Sequence, residues 1–391
     1  MKFTISNNCI YGHLLKLLDD KDSLQFVLQN LFLSFSLIVF MASGSKVMLS
    51  SLLFFITFLP VGLANNGDTN HVIQVTEVFH VKSGTENGGC DGFDVNMWFS
   101  DARFLLDLTD KALLEAKKSY DDDFKDSQVL KYLDAFFRID SKDDSSKATV
   151  EEMRAKVQAA IEDTEPGDDT PWIFCDSTFA QEKKWTDIAL APGTGVEHPD
   201  GKSIKEVYPE IYQEYYADRE KAKRKEKSKT KKMKLPSSFF PFWVDDIKQY
   251  RYAEKSNYCS KANLKNLAGV DDNAQPNTIT FCTKNWKKMK YKGINALPDV
   301  IAEGVSMKDF TVESLTFLHE AFHFALENEN TPDVAYNIGE VTGSVALEDG
   351  NFITREQAVA NPESWTLFAL AWHLGKKYPK FTFAGTEAKP L

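Results

Sequence analysis

Apolar residues recur along much of the chain with the spacing of helices. Between residues 94 and 118 they fall three and four positions apart, and segments 127–139 and 149–163 repeat that spacing. A Thr-Val-Glu-Glu capping box at Thr149 predicts the start of the third helix. Residues 72–81 are instead β-branched and partly alternating, which predicts a strand. The pattern therefore favours a mostly helical α/β (α+β) domain with a small sheet.

Two short apolar runs each end in a cysteine. Residues 170–175 read Thr-Pro-Trp-Ile-Phe-Cys and residues 277–282 read Asn-Thr-Ile-Thr-Phe-Cys, and both have the length and composition of buried strands. These two strands could meet in one compact sheet. The aromatic residues between 239 and 243, which flank Pro241, are expected to lie in the core.

A strongly basic run separates the two halves of the chain. Residues 219–234 contain ten Lys or Arg and two Glu, so they cannot form core. We expect a solvated insertion or linker, because like charges repel one another and stay hydrated. Two alternatives remain open: processing at Lys223-Arg224, or attraction to an anionic cell surface.

The N-terminal region contains two apolar stretches, residues 31–41 and 47–64. The second contains Pro60 and ends Val-Gly-Leu-Ala before a polar segment, which is the layout of a signal peptide. We predict a signal peptide over residues 41–64 with cleavage after Ala64, and an upstream extension over residues 1–40. An uncleaved membrane anchor is the alternative, but neither stretch supplies the about 20 continuous apolar residues that a span needs.

Composition limits the class of protein. With 391 residues, 43% of them hydrophobic, the chain can bury one large core or two ordinary ones. A net charge of -11 argues against nucleic acid as a partner. Four cysteines follow the predicted leader, Cys90, Cys175, Cys259 and Cys282, which is an even number suited to two disulfides in a secreted protein. Three pairings are possible, and no cysteine spacing resembles a zinc knuckle.

The chemistry centres on residues 319–323, which read His-Glu-Ala-Phe-His. The surrounding apolar spacing predicts a helix that Thr311 can cap. His319 and His323, four residues apart, then lie on one face, so that both imidazoles can bind one zinc ion. Glu320 lies at the edge of that face, where it can hold a water beside the metal and take its proton.

A catalytic zinc needs a third protein ligand and one open position. A metzincin site is excluded, because positions 326 and 329 are Leu and Glu. Glu340 or Glu348 would be the ligand in a thermolysin-type site, although neither lies in a distinctive sequence context. Asp333 is a better candidate for the third ligand, because the residues around it match a known pattern.

Residues 330–337, Asn-Thr-Pro-Asp-Val-Ala-Tyr-Asn, resemble the Gly-Thr-x-Asp-x-x-Tyr-Gly signature of aspzincins, the deuterolysin and lysine-specific metalloendopeptidases of fungi. The resemblance implies that Asp333 is the third zinc ligand and that Tyr336 stabilises the oxyanion of the tetrahedral intermediate. Asn330 and Asn337 replace the two glycines of the signature, and asparagine is the next-best residue for a positive φ.

The resemblance extends over about residues 255–375. Residues 361–369 are similar to a family helix that bears an acidic pair for the substrate lysine, with Glu363 at the first acidic position and Thr366 at the second. This implies that Glu363 binds substrate and favours basic residues only weakly. The segment between Cys259 and Cys282 resembles the disulfide loop of the family, which implies that these two cysteines pair.

Together these features predict a zincin-like domain that binds one catalytic zinc ion. We expect a secreted, monomeric zinc metalloendopeptidase that acts on proteins or peptides. Residues 235–391 would form the zinc-binding part, and residues 65–218 would be either a helical part of the peptidase or a prosegment. Two other hypotheses remain open: a catalytically inactive zincin-fold binding protein or effector, and a surface-attached protein that uses the basic run.

Overall fold

The computed structural model describes residues 72–124, 127–140, 142–143, 145–167, 170–217, 239–253, 258–259, 266–272 and 275–391. The predicted upstream extension, the predicted signal peptide and the basic run at 219–234 lie outside the described residues. Among the described helices, none combines the length and the apolar character that crossing a bilayer requires.

Helices dominate the described residues. In chain order they are α1 Val75–Val78, α2 Val95–Asp121, α3 Gln128–Phe137, α4 Ser146–Glu162, α5 Ile204–Val207, α6 Pro209–Tyr212, α7 Ser314–Leu326, α8 Ile338–Val341, α9 Arg355–Ala360 and α10 Pro362–Lys377. A turn of π-helix covers Gln213–Ala217, and 3-10 turns cover Ser177–Phe179, Thr283–Lys288, Ile294–Ala296 and Met307–Phe310.

Short strands form the remaining regular structure. They are β1 His80–Val81, β2 Trp172–Phe174, β3 Ala180–Glu182, β4 Phe240–Val244, β5 Gln249–Ala253, β6 Ala268–Asp271, β7 Thr278–Phe281, β8 Phe381–Thr382 and β9 Lys389–Pro390. Their content, together with the helices, confirms the expected mixed α/β composition.

The strands make three small sheets. The largest has the order β1-β2-β7-β6, in which β1, β2 and β7 run parallel and β6 runs antiparallel to β7. Residue Ile173 of β2 lies opposite Ile279 of β7. The second sheet, β3-β4-β5, is antiparallel, and β8 and β9 form a two-stranded ribbon.

The two cysteine-terminated strands are confirmed as direct neighbours, because β2 and β7 pair in parallel. A disulfide joins Cys259 to Cys282, which is the pairing implied by the family resemblance, and a second one joins Cys90 to Cys175. The second bond closes a sequence separation of 85 residues and ties the segment before α2 to the end of β2. Of the predicted aromatic cluster, Phe242 and Trp243 are buried in β4.

The predicted helices are present, with shifted ends. Helix α2 begins where expected, because the Asp94 carboxylate caps it by accepting from Met97 N, and it continues three residues past 118 to Asp121. The capping box predicted at Thr149 is wrong, since α4 already begins at Ser146 and Ser145 precedes it. The turn that begins at Ser146 packs against the core, where Ser146 is fully buried. This packing outweighs the capping preference of Thr149.

The strand predicted over residues 72–81 is also wrong for most of its length. Val75–Val78 form one helical turn, and only His80–Val81 pair in a sheet. The turn is held by a capping contact in which Gln74 N donates to Glu77 Oε1 at 2.8 Å, and Val75 N donates to Asn96 Oδ1 at 2.8 Å. Satisfied backbone donors therefore outweigh the β-branched preference of the run.

One hydrophobic core includes side chains from α2, α3, α4, α7 and α10 and from the inner strands β2 and β7. Helix α7 packs against α2, α10 and β6. A separate aromatic cluster lies on the β3-β4-β5 sheet, where Trp185 stacks on Tyr252 with ring centroids 5.7 Å apart. Helix α7, which carries the His-Glu-Ala-Phe-His motif, therefore lies within the larger core.

Candidate metal centre

Helix α7 carries both histidines of the motif. It begins at Ser314 rather than near Thr311, because a 3-10 turn ends just before Thr311 and the chain is extended there. The predicted cap at Thr311 is therefore wrong. The helix itself is confirmed, and it buries His319, Glu320 and His323, whose exposed fractions are 9%, 3% and 6%.

Aromatic packing holds α7 in place. Phe317 meets the rings of Phe79, Phe99 and Phe281 at centroid distances of 5.9, 5.7 and 5.4 Å. Further along the helix, Phe322 stacks on Trp365 of α10 at 5.2 Å. Because these large side chains are fully buried, the direction in which the histidine face points is set by the core.

The chain turns sharply after α7. Glu327 has φ 64° and ψ 146°, a conformation that a residue other than glycine rarely adopts. The Thr331 hydroxyl donates to the Glu327 carbonyl at 2.7 Å and closes the turn. The turn brings Asp333 back beside the histidine face.

Three potential ligand atoms converge there. His319 Nε2 and His323 Nε2 lie 3.2 Å apart, and Asp333 Oδ1 lies 3.1 Å from the first and 3.2 Å from the second. A tetrahedral ion with bonds of about 2.0–2.1 Å separates its ligand atoms by about 3.3 Å. The three atoms thus already have the spacing of one face of such a site.

The other nitrogen of each imidazole has its own partner. His323 Nδ1 lies 2.9 Å from Thr331 Oγ1, whose proton is already donated to Glu327, so the hydroxyl oxygen must accept from Nδ1–H. His319 Nδ1 lies 3.1 Å from Glu363 Oε2, a carboxylate acceptor. Both rings therefore carry a proton on Nδ1, which leaves Nε2 of each ring as the atom that can bind a metal ion.

Charge at the site favours a cation. Burial opposes the charged form of His319, but its hydrogen bonds to Asp333 and Glu363 raise the pKa of the imidazole well above its ordinary value. Burial would raise the pKa of Asp333, yet the two imidazoles hold it far below the ordinary range. The carboxylates thus stabilise positive charge between the ligand atoms, whether a proton or a metal ion supplies it.

Glu320 lies beside the ligand atoms and is free for chemistry. Its Oε2 atom is buried and has no hydrogen-bond partner among the described residues. Burial raises the pKa of this carboxyl group, although His319 and His323 lower it. A buried carboxylate oxygen without a donor is costly unless a water or a substrate group binds to it, so the structure leaves this atom available as a proton acceptor.

Tyr336 lies on the open side of the site. The residue is 63% exposed, and its hydroxyl lies close enough to Asp333 for the carboxylate charge to act on it. Burial of the phenol end and the nearby Asp333 charge raise the pKa of Tyr336, so the hydroxyl remains a proton donor. The Asp333 side chain is 32% exposed, and the site therefore opens to solvent past these two residues.

The structure decides between the candidate third ligands. Among the described residues, the carboxylate that lies with both imidazoles is that of Asp333. Glu340 Oε2 instead accepts from Tyr336 N at 3.1 Å. His373 of α10 is not among the converging ligand atoms, and its ring packs against Phe104 at a centroid distance of 5.6 Å.

The two asparagines that replace glycines of the aspzincin signature have conventional backbones. Asn337 has φ -125° and caps α8, its side chain accepting from Glu340 N. Asn330 is not among the described residues with positive φ. The expectation that asparagine serves here through positive φ is wrong, because neither position needs that conformation.

Sequence reasoning gave no role to Thr331 or Asn361. Thr331 orients His323, and Asn361 hydrogen-bonds the backbone of the segment between Asp333 and Tyr336. A metal-binding imidazole is expected to donate its second N–H to some acceptor, but spacing along the chain does not say which residue supplies it. The predicted substrate role of Glu363 stays a prediction, and its observed contact is with His319.

Comparison of the chain with protein-family models, with curated proteins and with solved structures finds no match.

Proposed function

We propose that the protein is a secreted, monomeric zinc metalloendopeptidase with an aspzincin-like centre on a zincin-like fold. The observation that carries this proposal is the triangle of His319 Nε2, His323 Nε2 and Asp333 Oδ1, with sides of 3.1–3.2 Å and with both Nδ1 atoms occupied. Two nitrogens and one carboxylate oxygen in tetrahedral spacing suit Zn²⁺ and leave a fourth position open. The two disulfides suit an oxidising compartment.

Zinc, when bound, polarises the scissile carbonyl and makes water more acidic. His319, His323 and Asp333 would hold the ion. Glu320 accepts a proton from the attacking water through the unpartnered Oε2 atom and later delivers it to the leaving amine. Its raised pKa makes it a better proton acceptor than an exposed glutamate.

Tyr336 is the donor for negative charge on the substrate oxygen. Its raised pKa keeps the hydroxyl protonated at neutral pH, beside Asp333. Because the residue is mostly exposed, the hydroxyl can turn to a substrate oxygen as charge develops. No covalent intermediate is required.

The structure gives little support to a preference for basic residues. That preference requires the Glu363 carboxylate to face the substrate, whereas Oε2 lies 3.1 Å from His319 Nδ1. The second acidic position is Thr366, whose hydroxyl donates to the Pro362 carbonyl within α10. We therefore propose an endopeptidase without a strong preference for basic residues.

The test compares the purified protein with Glu320→Gln. The wild type should contain one zinc ion per chain and cleave casein, and a chelator should abolish cleavage until zinc is restored. Glu320→Gln should keep the zinc and lose about 100- to 10,000-fold in kcat/KM, because the proton acceptor is gone. Equal activity in both proteins would refute the role of Glu320.

A zincin-fold binding protein without catalysis is the competing function. It predicts zinc in the purified protein, no cleavage of casein or of a peptide library, and no effect of Glu320→Gln on binding. The place of Glu320 beside both imidazoles favours the peptidase over this alternative, because a purely structural zinc site needs no proton acceptor there.

A further inference from the structure

Two residues at the start of α10, Asn361 and Glu363, contact the metal centre. Asn361 precedes the first residue of α10, and Glu363 lies in its first turn. Neither side chain is among the three ligand atoms. Each one instead contacts a different part of the centre.

Asn361 grips the loop that carries Asp333 and Tyr336. Its Oδ1 accepts from Val334 N at 3.0 Å and from Ala335 N at 3.3 Å, and its Nδ2 donates to Ala335 O at 3.2 Å. A further bond, from Nδ2 to Ser364 Oγ at 3.0 Å, ties the amide to α10 itself. The residue is fully buried, so these bonds do not compete with water.

The two residues that hydrogen-bond to Asn361, Val334 and Ala335, lie between Asp333 and Tyr336 in the sequence. Fixing the backbone on both sides of Ala335 therefore fixes the directions from which the carboxylate and the phenol project. The Asn361 amide makes three hydrogen bonds to this loop and one to α10, which uses all its donor and acceptor capacity.

Glu363 fixes the other arm of the centre. Its Oε2 accepts from His319 Nδ1 at 3.1 Å, which sets the ring plane and leaves Nε2 as the lone-pair atom. Between Asn361 and Glu363 lies Pro362, and Trp365 anchors the same turn by stacking on Phe322 of α7. The first turn of α10 is thus rigidly attached to the helix that bears both histidines.

We propose that Asn361 and Glu363 are positioning residues of the metal centre, Asn361 for Asp333 and Tyr336, and Glu363 for His319. The proposal rests on the function proposed above. It replaces the substrate-lysine role that sequence resemblance implies for Glu363, because the carboxylate is committed to a ligand before any substrate arrives.

The test measures zinc affinity without substrate, by competition with a chromophoric chelator, and the absorption spectrum of the Co²⁺-substituted protein. Glu363→Ala should weaken zinc binding about 10- to 100-fold and change the Co²⁺ spectrum. Glu363→Gln keeps an acceptor for Nδ1–H and should lose much less. Thr366→Val, one turn away in α10, is the matched control and should bind zinc like the wild type.

Asn361→Ala should weaken zinc binding by a similar factor and alter the Co²⁺ spectrum, because Asp333 is no longer held. If this variant fails to fold, Glu363→Ala still decides, since the Glu363 side chain is 20% exposed and its removal opens no core cavity. Wild-type zinc affinity and an unchanged Co²⁺ spectrum in Glu363→Ala would overturn the proposal. The proposal would also be overturned if Glu363→Gln left zinc binding unchanged and only raised the KM for substrates with basic residues.

The outcomes separate this proposal from the peptidase itself. Zinc binding that depends on Glu363 in a protein that cleaves nothing would support positioning and overturn the proposed peptidase. Cleavage with zinc affinity independent of Glu363 would do the reverse. A wild-type chain that binds neither Zn²⁺ nor Co²⁺ would overturn both.

Discussion

Helix α7 has a buried polar cluster at each end, and the two clusters differ in how their atoms are satisfied. At the start of α7, Asp101 Oδ2 accepts from Ser314 Oγ at 3.0 Å and from Ile294 N at 2.9 Å. Toward the other end, His319 Nε2, His323 Nε2 and Asp333 Oδ1 converge at 3.1–3.2 Å from one another. The first cluster pairs an acceptor with donors, whereas the second brings together three atoms that could hold one positive ion.

The difference shows how a buried polar cluster can signal a bound ion. Burial raises the pKa of Asp101, with the two donors opposing that rise, and nothing further is needed to satisfy the group. The second cluster is satisfied only when a positive charge lies between its ligand atoms. The contacts of the Asp101 cluster therefore suit a role in stability, and those of the histidine cluster suit the holding of an ion.

The comparison would break most clearly in Asp333→Ala. Loss of one of three protein ligands should weaken zinc binding by more than the about 100-fold that loss of an orienting neighbour can produce. Chelator competition measures the change, and the exposed Asp349→Ala serves as the control. Zinc affinity within a factor of about three of wild type would mean that another residue completes the site.

Proton competition sharpens the same contrast. In the metal-free protein the partners of His319 raise its pKa, so a proton on this imidazole competes with zinc more strongly than it would on an ordinary histidine. Apparent zinc affinity should fall about tenfold for each unit that the pH is lowered below that pKa. The measurement is a series of chelator competitions between about pH 6 and 8. An affinity that does not change over this range would contradict the coupling of zinc to the His319 proton.

Asp101→Ala tests the opposite end of the helix. The Ile294 N–H and the Ser314 hydroxyl lose their acceptor, so the free energy of unfolding should fall by about 1–3 kcal/mol, while zinc affinity of the folded protein stays unchanged. Urea unfolding measures the first quantity and chelator competition the second. Asp107 is exposed and lies on α2, the helix that also carries Asp101. Asp107→Ala should therefore have almost no effect on the free energy of unfolding or on zinc affinity. A large loss of zinc affinity in Asp101→Ala would show that the two clusters are coupled.

The smallest effect is expected at the turn after α7. Glu327 has a φ of 64°, which glycine adopts without strain. Glu327→Gly should therefore raise the free energy of unfolding by about 1 kcal/mol, the relief of strain exceeding the entropy that glycine loses on folding. Glu329→Gly, at a position with no positive φ, should lower it instead. Thermal unfolding of both variants measures these changes. A lower free energy of unfolding in Glu327→Gly would mean that the turn is not strained.

Much of the secondary structure followed from the sequence because it depends on local periodicity. Helices α2, α3, α4 and α7 and strands β2 and β7 all lie where apolar spacing predicted them. The failures are at element ends and in short segments. At residues 72–81 and at Thr149, side-chain caps and packing outweigh propensities of a few tenths of a kcal/mol per residue.

The sequence by itself determined the histidine pair, because two residues four apart on a helix share a face wherever that helix lies. It also made Asp333 a candidate ligand through a resemblance, but left Glu340 and Glu348 open. Only the tertiary structure decided among them, by turning the chain at Glu327 so that one carboxylate meets both imidazoles. The partners of those imidazoles were likewise settled by folding: His319 and Glu363 are 44 residues apart, and no periodicity acts over that distance.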